Sequence, residues 1–204
     1  MIVNRLSQEQ QAQVVAMLVE GNSIRSVERM TGIHRDTIMR LTVRVGEHCA
    51  ALMERVIRDV KCEAVEVDEL WTFVGKKQAR LTYDERQRQD IGDQYVFVAL
   101  DAQTKLIPHF SVGKRNMITA YEFMEVLKRR IPGRFQLTTD AFVPYIGAVE
   151  MAWGADAPDY AQLVKDFAGI NPGRARYSPR SVRALHHDAR IRHARPRTCD
   201  YQPR

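Results

Sequence analysis

Ala64-Val65-Glu66-Val67-Asp68-Glu69-Leu70-Trp71 alternates in character and is rich in β-formers, so residues 64–71 read as a strand. Working outward from it, the polar stretch 78–93 reads as an exposed hairpin or loop. Tyr95-Val96-Phe97-Val98-Ala99-Leu100 is a second strand, and its near-continuous apolarity predicts burial on both faces. Asp101-Ala102-Gln103-Thr104 makes a turn, and 106–112 returns as a third strand. A helix over 119–130 carries Ala120, Phe123, Met124 and Leu127 on one face and is stopped by Pro132-Gly133. Residues 135–140 form a fourth strand, 145–153 a helix closed by Gly154, and 160–167 a last strand. Three strands, a helix, a strand, a helix and a strand predict an α/β class with a mixed sheet.

Two aspartates fall at informative places in that order. Asp68 lies within the first strand, and Asp140 ends the fourth. If those strands are neighbours, as in a ribonuclease-H-like sheet, both carboxylates meet at one edge. Carboxylates so placed suit magnesium, a hard cation that takes oxygen ligands from one or two acids plus water and phosphate. Two such ions roughly 3.5–4 Å apart serve the attacking and leaving oxygens of a phosphodiester displacement. The plainer alternative is that an aspartate at a strand end caps a turn or the helix after it. Glu69 should point to the opposite sheet face from Asp68 and is the weaker ligand candidate, whereas Glu66 shares the face of Asp68 in a supporting position. Glu150 lies in the helix after Asp140 and is easily mistaken for a third acid.

Before residue 62 the periodicity is helical. Ser7 can cap a helix over 8–20 with Val14, Val15, Leu18 and Val19 as its apolar stripe and Gly21 at its end. Ser23 can cap a second helix through Met30, with Ile24 and Val27 inward. Met30-Thr31-Gly32-Ile33 supplies a tight turn with glycine, and a third helix over 35–49 carries Ile38, Leu41 and Val45. This order predicts an N-terminal all-α helix-turn-helix domain. The last helix of such a motif offers its N-terminal side chains to base edges in the major groove, which makes His34, Arg35, Thr37 and Arg40 the DNA-contact candidates. A small helical bundle used for dimerisation is the alternative. The expected division is 1–50 helix-turn-helix, 51–61 linker helix, 62–170 incomplete catalytic-type α/β domain, and 171–204 a basic, disordered tail.

Bulk properties are compatible with this plan. Hydrophobic residues make up 45% and charged residues 27%, and 31 Lys+Arg against 25 Asp+Glu give a net charge of +6 and a pI near 9.4. A basic balance favours a polyanion, since cations near phosphates release condensed counterions. Cys49, Cys62 and Cys199 have no zinc or disulfide spacing and read as reduced thiols. No apolar run approaches the roughly eighteen residues of a membrane span, and MIVNRLSQEQQ has no signal-peptide core. The expected setting is the cytoplasm of a bacterial type of cell, at the nucleoid, with no membrane.

The motifs themselves carry a resemblance. VDELWTFVGKK (67–77) resembles the first-aspartate motif of insertion-sequence-one-type transposases. LTTDAFVPYIGAVEMAWG (137–154) with DYAQLVKDF (159–167) resembles their second-aspartate segment, and NRLSQEQQAQVVAMLVEGNSIRSVERMTG resembles the opening of a common subgroup. The likeness covers about 4–179. It implies a transposase of the DDE class, with Asp68 and Asp140 as catalytic metal ligands for Mg²⁺ or Mn²⁺. The implied partners are double-stranded DNA, both insertion-sequence ends and target DNA; an assembly of identical chains is left open. Members continue past an Arg-Tyr-Ser-Pro segment, here Arg176-Tyr177-Ser178-Pro179, into a helix bearing a glutamate. This chain has no glutamate after Glu150, and its Arg- and His-rich tail has Asp188 and Asp200 as its only acids. The expectation is a truncated or frameshifted copy, impaired in catalysis by loss of the third acid. The alternatives are a non-catalytic DNA-binding remnant that occupies element ends, and a plain basic α/β protein with a helical dimerisation module.

Overall fold

A computed structural model describes residues 6–167 and 182–191, and the chain divides into two compact units, 1–57 and 58–204. In the first unit, α1 spans Gln8–Val19, α2 Ile24–Thr31 and α3 Arg35–Val56. Ser7 and Gln10 form a reciprocal capping box on α1, which satisfies two otherwise orphaned amides. Between α2 and α3 the chain turns on Gly32 at φ 69°, a left-handed conformation that disfavours any side chain with a Cβ. Val14, Val27, Ile38 and Leu41 are the buried centre of this unit. Val19, expected in the α1 stripe, is 79% exposed, whereas Leu18 beside it packs against the core, so the stripe is narrower than expected. A separate linker helix over 51–61 is also corrected. No breaker stands between Cys49 and Ala50, so α3 continues to Val56 as one helix, and residues 57–63 are irregular.

The second unit is a six-stranded mixed sheet. Its strands are β1 (Ala64–Val74), β2 (Gly92–Asp101), β3 (His109–Gly113), β4 (Gln136–Asp140), β5 (Asp159–Phe167) and β6 (Val182–Ile191). They lie in the order β3-β2-β1-β4-β5-β6. Strands β1 to β3 pair antiparallel as a meander, β4 joins β1 in parallel, β5 joins β4 in parallel, and β6 returns antiparallel. Helices α4 (Met117–Arg130) and α5 (Pro144–Trp153) make the crossovers. This mixed α/β arrangement is consistent with a ribonuclease-H-like fold.

Both helices pack on one face of the sheet. Val65, Val67, Phe97, Ala99 and Leu137 meet Ala120, Phe123, Met124, Leu127, Tyr145 and Ala148 there. The pleat sends alternate residues the other way, and among the described residues of this unit no helix covers that second face. Val96, Val98 and Leu100 are therefore only half-buried, which corrects the expectation that β2 is buried on both faces. Residues 78–93 hold two single 3₁₀ turns, with Leu81 buried. Gly92, at φ 82°, closes this loop where an added Cβ would lie 2.3 Å from Gln78 Oε1 and 2.7 Å from Leu81 Cδ1.

The expected disordered tail is corrected in part, since β6 pairs with β5 along 182–191. Edge strands commonly carry charge, and that hides their strand character from an apolar-periodicity reading. The Arg176-Tyr177-Ser178-Pro179 segment and Asp200 lie outside the described residues. Among the described residues no helix is long and apolar enough to cross a membrane.

Candidate functional site

The parallel pairing of β1 with β4 runs from Ala64↔Gln136 to Val67↔Thr139. One step further along both strands stand Asp68 and Asp140, so the register sets them side by side on the open face of the sheet. Asp68 is exposed and Asp140 half-buried. With Glu69 they form a group whose carboxylate oxygens all lie within 4.8 Å of one another.

Glu69 was the weaker candidate because alternation turns it away from Asp68. It does face the helix-covered side, where its side chain is only 4% exposed. Strand β4, however, ends at Asp140 while β1 runs on to Val74. At the level of Glu69 there is no β4 neighbour, and the longer side chain reaches round the strand end into the group. Glu66 is exposed and Glu150 is exposed on α5, and neither belongs to it.

Arg115, in the short link between β3 and α4, ties the acids together. Its Nε donates to Glu69 Oε2 at 3.2 Å and its Nη2 to Asp140 Oδ2 at 2.9 Å. The guanidinium carbon sits 3.9 Å from the centroid of the Phe142 ring, a cation–π contact on the loop that Asp140 opens. Asp140 uses its other oxygen to accept from the Phe142 amide at 3.0 Å. The turn-capping alternative for Asp140 is thus realised, and it leaves the second oxygen to Arg115 and the group.

The loop is held from below by β5. Gln162, 2% exposed, donates through Nε2 to the carbonyls of Asp140 at 3.1 Å and Phe142 at 3.3 Å. Thr139 Oγ1 donates to the Asp140 carbonyl at 2.8 Å and lies 3.0 Å from the Tyr160 hydroxyl. A cleft of about 610 Å³ opens beside the acids, lined by Asp68, Arg115, Asp140, Phe142, Pro144 and Leu163 among others.

The electrostatics follow the burial. Burial raises the Glu69 carboxyl above its ordinary value and the charge of Asp140 adds to this, while the Tyr145 hydroxyl and Arg115 pull it partly back. The Tyr145 phenol is raised far above its usual range, first by burial and then by Glu69. Glu69 Oε1 and the Tyr145 hydroxyl are both buried beside one another, but poorly aligned for a full hydrogen bond. An unpaired buried polar atom costs about 1–3 kcal/mol, and more when charged. Three clustered carboxylates, one with a buried oxygen whose hydrogen bond is poorly formed, fit a hard divalent cation such as Mg²⁺ or Mn²⁺ in donor chemistry.

In the first unit, the four DNA-contact candidates share the N-terminal end of α3. His34 is its cap, with Nδ1 accepting from the Asp36 amide at 3.3 Å. His34, Arg35 and Arg40 are exposed and Thr37 is half-buried, with Arg40 Nη2 3.5 Å from Thr37 Oγ1. Sequence reasoning passed over Arg115, Gln162 and Tyr145, and no local pattern singles them out.

No protein-family model matches this chain, and no curated protein matches it. Among solved structures it is similar to the Mos1 transposase paired-end complex with left transposon end, at 11% identity and a TM-score of 0.27 over 74% of this chain and 59% of that one. It is also similar to the Mos1 mariner paired end complex with Mn, at 12% identity and a TM-score of 0.30 over 78% of this chain and 60% of that one. The chain spans about three fifths of each of those chains.

Proposed function

We propose that this chain is a DNA transposase of the insertion-sequence-one type. In this reading Asp68 and Asp140 hold Mg²⁺ or Mn²⁺ for phosphodiester cleavage and strand transfer, and residues 1–50 bind double-stranded DNA. One observation carries it: the β1–β4 register brings two aspartates from separate motifs side by side at the mouth of a cleft. Divalent ions bound there would supply charge stabilisation to the attacking and leaving oxygens of an in-line displacement. The protein's own part is positional. Gln162 and Thr139 fix the loop that presents Asp140, and the strand itself fixes Asp68. His34, Arg35, Thr37 and Arg40 would meet phosphates and base edges from the start of α3.

The test is Mg²⁺- or Mn²⁺-dependent nicking of insertion-sequence-end DNA by the full chain. Asp68→Asn and Asp140→Asn are each expected to reduce nicking to background, and a variant that cuts at the parental rate overturns the assignment. A second reading, the non-catalytic remnant that occupies element ends, is favoured by the Arg115 guanidinium spanning Glu69 and Asp140. Protein that shifts terminal DNA yet never cuts it with either metal selects this reading.

A further inference from the structure

Glu69 is a carboxylate that the two-aspartate reading does not use. It is nearly sealed from solvent, with a side chain 4% exposed, yet it contributes an oxygen to the same group as Asp68 and Asp140. Its Oε2 is held by Arg115, and its buried Oε1 has only the poorly aligned Tyr145 hydroxyl beside it. A buried carboxylate so placed calls for a cation, because removing it from water is costly unless charge and ligand geometry repay it. Arg115 answers that need in a particular way. Its planar fork takes one oxygen from Glu69 and one from Asp140, which lie on opposite sides of the β4 end.

We propose that Glu69 is the third oxygen ligand of the cation held by Asp68 and Asp140, and that Arg115 keeps the cation's place until it arrives. Metal and guanidinium then compete for the same carboxylates. The proposal rests on the metal-site reading above. Arg115 is suited to leave. Its backbone lies in the link before α4, where the N-cap Asn116 accepts from the Thr119 amide at 3.0 Å, so the guanidinium can move while the backbone stays fixed. Its side chain is one third exposed, at 32%. The face of Phe142 offers the displaced guanidinium a continuing contact at the cleft.

The experiment is calorimetric titration of the full chain with Mn²⁺ alone, without DNA, on folded protein verified by circular dichroism. Asp68→Asn is expected to abolish binding. Glu69→Gln is expected to weaken it at least about tenfold, since even outer-shell changes at metal sites commonly cost 10–100-fold. Arg115→Gln is expected to tighten it several-fold by removing the competitor, and Glu150→Gln to leave it unchanged. Should Glu69→Gln not fold, Glu69→Asp keeps the charge, shortens the reach by one methylene and is expected to weaken binding. In addition, the Arg115 Nε–H resonance should shift on adding diamagnetic Mg²⁺.

Parental affinity in the Glu69 variant, with binding lost in Asp68→Asn, overturns the role of Glu69 and leaves the aspartate reading standing. Unchanged or weaker binding in Arg115→Gln, or an unmoved Arg115 resonance at saturating Mg²⁺, overturns the competition. No Mn²⁺ binding by the parental chain overturns both this inference and the metal reading beneath it.

Discussion

The two faces of the sheet treat side chains in opposite ways. On the covered face, Phe97, Val65, Val67 and Leu137 are sealed beneath α4 and α5, and ionisable groups there pay for desolvation. Glu69 and Tyr145 are both raised by burial, and so is Cys62, whose thiol is pushed up to about 11. Asp101 on the same face is also opposed by burial, yet it ends lowered because Thr104 bonds it through both hydroxyl and amide. On the other face, Leu70, Phe110 and Val112 are exposed and Asp68 stands in solvent. Among the described residues of this unit, one face therefore carries the helix-packed core and the other is the more exposed. The acidic group lies where β4 ends and the two faces come into contact, which is why acids from both can join it.

The contrast is broken most directly by truncating matched aromatics. Phe97→Ala, on the covered face between Phe123 and Tyr145, should destabilise the chain by about 3–5 kcal/mol, from lost burial and the cavity left behind. Phe110→Ala, on the open edge strand, should stay within about 0.5 kcal/mol. Urea melts of both variants measure this. Comparable losses would mean that something covers the second face in solution.

A smaller effect is expected at the seam. Gln162→Ala leaves the Asp140 and Phe142 carbonyls without its amide and should cost about 1–3 kcal/mol. Because Gln162 touches the backbone of Asp140 and not its carboxylate, Mn²⁺ affinity should fall with it, by roughly 10–100-fold. Stability lost with affinity intact would show that the loop keeps its geometry without β5.

Local pattern made most of the sheet unit legible. Alternation over 64–71 and the apolar faces of α4 and α5 are properties of consecutive residues, and β1 to β5 and both crossover helices stand where those patterns predict. The β1–β4 neighbourhood of Asp68 and Asp140 was legible only as a condition, if the sheet took a ribonuclease-H-like order, and the parallel pairing of the two strands meets it. What stayed hidden depends on chain ends and distant partners. Glu69 belongs to the group only because β4 stops one residue past Thr139, a fact absent from the sequence around Glu69. Arg115 lies 46 residues from Glu69 and 25 from Asp140, and a single arginine in Lys114-Arg115-Asn116 signals neither. Strand β6 was hidden by its own edge position, where charged residues interrupt the apolar period.

The smallest expected effect changes reactivity and leaves stability alone. Cys62 packs against the covered core, and burial first, then the charge of Asp101, raises its thiol from 9.0 to about 11. The thiolate is the nucleophile, so a rise of that size leaves about a hundredfold less of it at pH 8 than a thiol at 9.0 would have. Site-resolved alkylation with iodoacetamide should show Cys62 slow beside the exposed Cys49. Its rate should climb about tenfold per pH unit until near pH 11, where it levels. Steric hindrance alone would slow Cys62 by a constant factor without moving that plateau, and Asp101→Asn should bring the plateau down. A Cys62 rate that levels near pH 9 would mean that the covered face does not exclude charge there, and the contrast between the faces would then hold for packing alone.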